Sequence, residues 1–201
     1  LTRSDFAGVR LHGGKFEGSA MKHADFAGAD LTGSAFNGSD VRGTNFDRAD
    51  LTDCHFTAVD LRDASFRESI LVRTDFRTSD LTGSKFTRVQ LTDVNFFAVS
   101  LRNVTFEGCS ISGGEFKYSD LSGQSFDGMV LRNVQLGTSG LEGVSFQKAR
   151  LQNVSFTPPF SLSKKYYRAI KTIRFDGAFM DKLTYNALKG LGADVSGVTV
   201  L

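Results

Sequence analysis

The sequence predicts an all-β solenoid, a four-sided β-helix of about eight 20-residue coils with a small C-terminal α-helical cap. Three observations carry this. First, a large apolar residue stands at every fifth position: positions 1, 6, 11 and onward to 156 hold Leu or Phe at 29 of 32 places, and the exceptions are Met21, Val41 and Ile111. A helix wants apolar residues about 3.6 apart and a strand 2 apart, so five fits neither alone and implies a short strand plus a corner. Second, Phe and Leu alternate along that register until Leu136 breaks the order. Third, the position two after each large residue is Gly at 13 places and Asn or Asp at six more, residue types that tolerate the backbone angles of a tight turn.

Taking the large residue as i, strand alternation points i−2 inward with it and turns i−1 and i+1 outward. The residues agree: i−2 is small or β-branched, as at Ala24, Ser34, Cys54, Val59 and Val94, while i−1 and i+1 carry Asp25, Asp40, Asp60, Arg42 and Arg62. The number of sides follows from packing. Three sides would stack Phe on Leu, whereas four make almost every column uniform. Phe6, Phe26, Phe46, Phe66, Phe86, Phe106, Phe126 and Phe146 then form one stack, and Phe16 to Phe156 form the facing one with Leu136 as its gap. Two aliphatic columns, including Leu31, Leu51, Leu61 and Leu81, complete the expected core. At one strand spacing per coil, about 4.8 Å, the rod would be on the order of 38 Å long.

The stretch from His23 to Phe36, "HADFAGADLTGSAF", contains ADFAG and ADLTG in succession, and "RADLTDCHF" from Arg48 to Phe56 contains ADLTD. These units resemble the A(D/N)Lxx motif of the pentapeptide-repeat protein family over roughly residues 1–157. The resemblance implies a right-handed quadrilateral β-helix, the shape already reached from packing. A leucine-rich repeat, with its longer strand-plus-helix unit, has no place for a strict period of five. The resemblance also implies a protein-binding role, since the best-known members protect DNA gyrase by imitating duplex DNA.

The sequence divides into a β-helix at 1–157 and a C-terminal helical capping segment at 158–201. Pro158 and Pro159 cannot extend a ladder. A helix is expected beyond them, with Leu162, Tyr166, Ile170 and Ile173 on one face and Ser161 or Ser163 as its N-cap. A second is expected across Asp181 to Leu188, ended by Gly190 or Gly192. These helices are read as a lid over the last coil, with a homodimer through 161–190 as the sharper alternative, a mode of pairing the family resemblance also implies. At the other end Leu1 already occupies a core position with no cap or signal peptide before it, so the sequence is expected to be part of a larger protein.

Residues 1–160 hold 17 Lys/Arg and 19 Asp/Glu, and residues 161–201 hold seven Lys/Arg and three Asp. A duplex mimic needs a strongly negative rod. Asp40, Asp60 and Asp80 do align one coil apart, but Lys22, Arg42, Arg62 and Arg102 align beside them as a neutralised ladder. Basic residues are dispersed among acids rather than gathered in a stripe, which argues against nucleic-acid binding. No apolar run is long enough for a membrane span, and the expected compartment is cytoplasmic, with a bacterial secreted effector as the alternative.

No chemistry stands out. Cys54 and Cys109 both fall at i−2 almost three coils apart, about 13 Å along the axis and too far for a disulfide, so both read as small core residues. His12, His23 and His55 fall on three different sides, and no HxH, HExxH or CxxC spacing exists to hold a metal. No cofactor and no catalytic residue is expected, and the protein reads as not an enzyme. The features that depart from the pattern are outward apolar residues: Phe97 with Tyr118 one coil further along the same side, and Ile70 with Val72 on a neighbouring face. These four form the expected partner surface. Gln124, Met129, Val130, Leu136 and Gly140 mark a coil expected to be locally distorted. The functional expectation is a non-enzymatic protein-interaction scaffold. The alternatives are a DNA-mimicking inhibitor or protector of DNA gyrase or topoisomerase, and a non-catalytic module of a bacterial secreted effector.

Overall fold

The computed structural model describes residues 1–157 and 163–201. The expected ladder break at Pro158 and Pro159, together with Ser161 and Leu162, lies outside the described residues. The rod is a right-handed quadrilateral β-helix whose rungs pair in parallel with the rung 20 residues on, from Asp5 with Asp25 to Gln135 with Ser155, with one break on the way where Thr105 makes no bridge to Ser125. Its four faces are called here after the residues at their centres, Leu51, Phe56, Leu61 and Phe66, in chain order.

Only parts of the ladder are regular enough to be strands. On the Leu51 face, β1 (Ile70–Val72), β3 (Gln90–Thr92), β5 (Ser110–Ser112), β6 (Val130–Arg132) and β7 (Arg150–Gln152) pair in sequence. On the Phe66 face, β2 (Lys85–Thr87) pairs with β4 (Thr105–Glu107). The backbone turns at i+2, where φ is positive at Gly and non-Gly residues alike, among them His23, Asp53, Ala58 and Tyr118. A residue with a Cβ is strained in that region. The ladder bonds on either side of each corner hold it there, as when Ala58 N–H donates to Arg77 O at 3.1 Å.

The core follows the two aromatic stacks. Within one, Phe66 lies 4.7 Å from Phe86 and 5° from parallel; between the two, Phe26 meets Phe36 edge-on at 90°. Both are geometries the ring quadrupole favours. Phe26, Phe46, Phe66, Phe86, Leu31, Leu51, Leu61 and Leu81 are fully enclosed, and Phe106 nearly so. Phe6, in the first of the described coils, is only half-buried.

The C-terminal segment contains two short helices, α1 (Lys164–Ile170) capped by Ser163 and α2 (Lys182–Gly190) capped by Asp181. The ladder also continues through it. Phe175 stacks on Phe146 at 5.6 Å, β8 (Phe179–Met180) pairs with β7, and β9 (Thr199–Val200) pairs with β8. Arg174 bridges Ser145 at a separation of 29 residues, so α1 loops out from a coil that closes behind it. Ile173 lies beyond the end of α1 rather than on its face, and is buried as Ile170 is.

Candidate interaction surface

The inward positions explain themselves and leave little chemistry free. At i−2, Ser34 and Thr74 donate their hydroxyls to Leu11 O and Leu51 O, 23 residues back, at 2.8 and 2.9 Å. The same carbonyl also accepts a turn N–H, as Leu11 O does from Gly14, so both its lone pairs are used. Cys54 belongs to this series, its thiol directed at Leu31 O at 2.9 Å, and burial pushes its pKa up to about 12. Cys109 is likewise buried, free and raised by burial. These thiols are protonated wall residues, unlike the accessible thiolates that react. Among the described residues no His, Cys, Asp or Glu group is gathered as a metal would require.

The outward positions differ from face to face. On the Leu61 face, Arg42 grips Asp40 through Nε to Oδ1 at 2.9 Å and Nη2 to Oδ2 at 2.7 Å, and reaches Asp60 of the next coil at 3.3 Å. Arg62 repeats the grip on Asp60, and Lys22 adds a contact to Asp40 at 3.2 Å. Arginine hydrogen bonds are the main reason that Asp40 and Asp60 are held below the usual carboxylate range. Their charge is spent within the ladder. On the Phe66 face Glu68 contacts Arg48, Arg67 and Arg88, which leaves that corner net positive.

Phe97 and Tyr118 do meet. Their rings are 5.3 Å apart and nearly perpendicular, with Phe97 half-buried and Tyr118 57% exposed at the corner between the Phe56 and Leu61 faces. Ile70 and Val72 lie in β1 on the Leu51 face, so the four residues fall on two adjacent faces rather than in one patch. Beside Tyr118 opens a cleft of about 400 Å³, bounded by Asp120 and Ser122, by Thr138 of the next coil, and by Lys165 and Ala169 of α1.

This cleft is where the interrupted register has its effect. Thr138 is the one described corner between positions 3 and 153 without a positive φ, and its buried hydroxyl has no hydrogen-bond partner among the described residues. The gap at Leu136 and the unusual Gly140 point to this coil in the sequence, but nothing there places Lys165 against it. α1 buries Ile170 and donates the Tyr166 hydroxyl to Phe156 O. Tyr167 and, on α2, Leu183 are left exposed at 40% and 69%. No described helix is long and apolar enough to cross a membrane.

The chain matches the profile described as "Pentapeptide repeat region" over residues 9–86, 29–106 and 79–156. No curated protein matches it. Among solved structures it is similar to HetL, a pentapeptide repeat protein involved in heterocyst differentiation regulation from the cyanobacterium Nostoc sp. strain PCC 7120, at 21% identity and a TM-score of 0.46, covering 90% of this chain and 76% of that one. It is also similar to a trypsin-treated form of QnrB1, a plasmid-mediated fluoroquinolone resistance protein, at 25% identity and a TM-score of 0.44, covering 96% and 95%. A pentapeptide repeat protein of the Arabidopsis thaliana thylakoid lumen shares 28% identity at a TM-score of 0.24, over 56% of this chain and 68% of that one.

Proposed function

This chain belongs to the pentapeptide-repeat family, and from that premise we propose that it is a non-enzymatic scaffold, its rod at 1–157 presenting a side to a protein partner and residues 158–201 capping it. The observation that carries the reading is the Phe97–Tyr118 pair, an edge-to-face aromatic unit at an exposed corner beside a cleft. Aromatic residues are enriched among those that dominate interface energy. A homodimer through 161–190 would use the exposed Tyr167 and Leu183.

The alternative, imitation of duplex DNA in front of gyrase or a topoisomerase, requires a line of unpaired negative charge. Here Asp40 and Asp60 are each held by an arginine of their own coil. A gyrase supercoiling assay separates the two. We expect no protection from a quinolone at a stoichiometric amount of the protein, and protection would replace the scaffold reading with mimicry. A photo-crosslinker at position 97, read with and without Tyr118→Lys, then tests the surface. The adduct should disappear in the variant while the melting temperature stays unchanged, and an adduct indifferent to Tyr118→Lys would remove this corner from the interface.

A further inference from the structure

One face stands apart by what it lacks. On the Leu51 face three consecutive coils carry no charge at the outward strand positions: Ile70 and Val72, Gln90 and Thr92, Ser110 and Ser112. None of the other faces has three such coils in a row. The uncharged band lies on the longest regular sheet of the molecule, and Ile70 stands 48% exposed at one end of it. Val130 extends the band by one position. The coils that flank the band differ in sign. Asp50 lies on the N-terminal side, with Asp30 one coil further and Arg10 beyond it, while Arg132 and Arg150 lie on the C-terminal side.

We propose that this face binds a second copy of the same chain, the two rods running antiparallel about a two-fold axis between the coils of Gln90 and Ser110. The register follows from charge. In the antiparallel arrangement Asp50 of one copy faces Arg150 of the other, Ile70 faces Val130, and Gln90 faces Ser110. A parallel arrangement would set the Asp50 coil against itself and the Arg132 and Arg150 coils against themselves, and like charges brought together are what excludes a wrong register. An isologous interface of this kind closes on itself and stops at two copies. Both charged groups are free to engage. Asp50 uses Oδ1 to accept the Thr52 N–H at 3.0 Å, its other oxygen having no partner among the described residues. The Arg150 guanidinium rests over the Phe179 ring at 5.3 Å, on the same face.

The size of the face sets the strength. Five coil spacings by the width of one short strand give a footprint on the order of 300 Å² per copy, well below the roughly 800 Å² of a standard stable interface. The association is therefore weak and reversible, and weakens further with salt because its register depends on exposed charges.

Sedimentation equilibrium from about 5 to about 500 µM should show a monomer–dimer equilibrium within that range, as suits a weak association at the low end of interface size. Ile70→Lys should weaken it at least tenfold. Asp50→Arg should weaken it too, and Asp50→Arg combined with Arg150→Asp should restore it, with circular dichroism confirming that each variant keeps its fold. Cys54 and Cys109 are buried, so introduced cysteines report alone. Mixing an Asp50→Cys protein with an Arg150→Cys protein should give a disulfide between the two kinds of chain faster than either kind links to itself. A monomer at the highest concentration overturns the proposal. So does a dimer indifferent to Ile70→Lys, as one built through α1 and α2 would be, and so does preferential linking of Asp50→Cys to itself.

Discussion

At the scale of the residue, the fold is a set of local compromises repeated at fixed places. Positive φ is held at corners occupied by Arg, Asp and Ala as well as Gly, so most corner glycines are a convenience. Gly123 illustrates this: an added Cβ would meet nothing within 4 Å, and the cost of Gly123→Ala is the left-handed backbone alone, about 1 kcal/mol. Gly114 is different. It sits at i−2 with φ +93°, and a Cβ there would lie 2.5 Å from Val94 O, a backbone atom that the ladder holds in place. Gly114→Ala should therefore destabilise by about 3 kcal/mol or more, the sum of strain and overpacking, and denaturant titration of the two variants side by side checks the difference. The hydroxyls at i−2 carry a related lesson. Their small size was legible in the sequence from packing. Their hydrogen bonds to the carbonyl 23 residues earlier were not, because that partner is defined only once coils stack in register.

At the scale of the element, the helices depend on their caps. Asp181 accepts from the Leu183 and Thr184 N–H groups through Oδ1 at 2.8 and 3.0 Å. Its Oδ2 takes the Asn153 N–H at 2.6 Å and the Thr184 hydroxyl at 2.8 Å, tying α2 to the preceding coil. Burial raises its pKa, but the hydrogen bonds from Thr184, Asn153 and Leu183 outweigh it and the net shift is downward. The native state thus prefers the carboxylate, and the stability this contributes is present above the unfolded value near 3.9 and lost as pH falls below it. Asp181→Ala should cost about 1–2 kcal/mol at neutral pH and progressively less as the solution is acidified and the wild-type carboxylate takes up its proton. Hydrogen exchange should locate the loss in α2 and the adjoining Asn153 corner. Ser163 and Asp181 were legible as helix starts from residue type. The resumption of the ladder at Phe175 and Met180 was not, since two isolated apolar residues after a helix carry no period.

At the scale of the whole molecule, the rod distributes charge by face. A solenoid is stabilised by contacts between neighbouring coils, so a ladder spanning several of them acts on the array as a unit. Asp40 and Asp60, both held below the usual range chiefly by their arginines, link three coils through Arg42 and Arg62. Because the folded values are depressed, their contribution is complete above about pH 4 and falls away as the solution is acidified through the folded values. The wild type should lose thermal stability as pH falls below about 4, and Arg42→Gln combined with Arg62→Gln should flatten that dependence while lowering the neutral-pH melting temperature by only a few degrees, as suits partly exposed pairs. An equal acid dependence in both proteins would show that the ladder contributes nothing. The same pairing neutralises Asp40 and Asp60 within the ladder.

The sequence by itself determined the period of five, the four sides and the enclosed Phe and Leu columns, because interior positions answer to packing alone and packing repeats. Only the tertiary structure decided which outward residues share a place. Phe97 and Tyr118 are 21 residues apart and touch, whereas Ile70 and Val72 face another direction, and the cleft at Thr138 needs Lys165 from a helix that no period connects to it. The physical reason is that a core position is specified by its neighbours in the repeat, while a surface becomes a site only through groups brought together across coils and insertions.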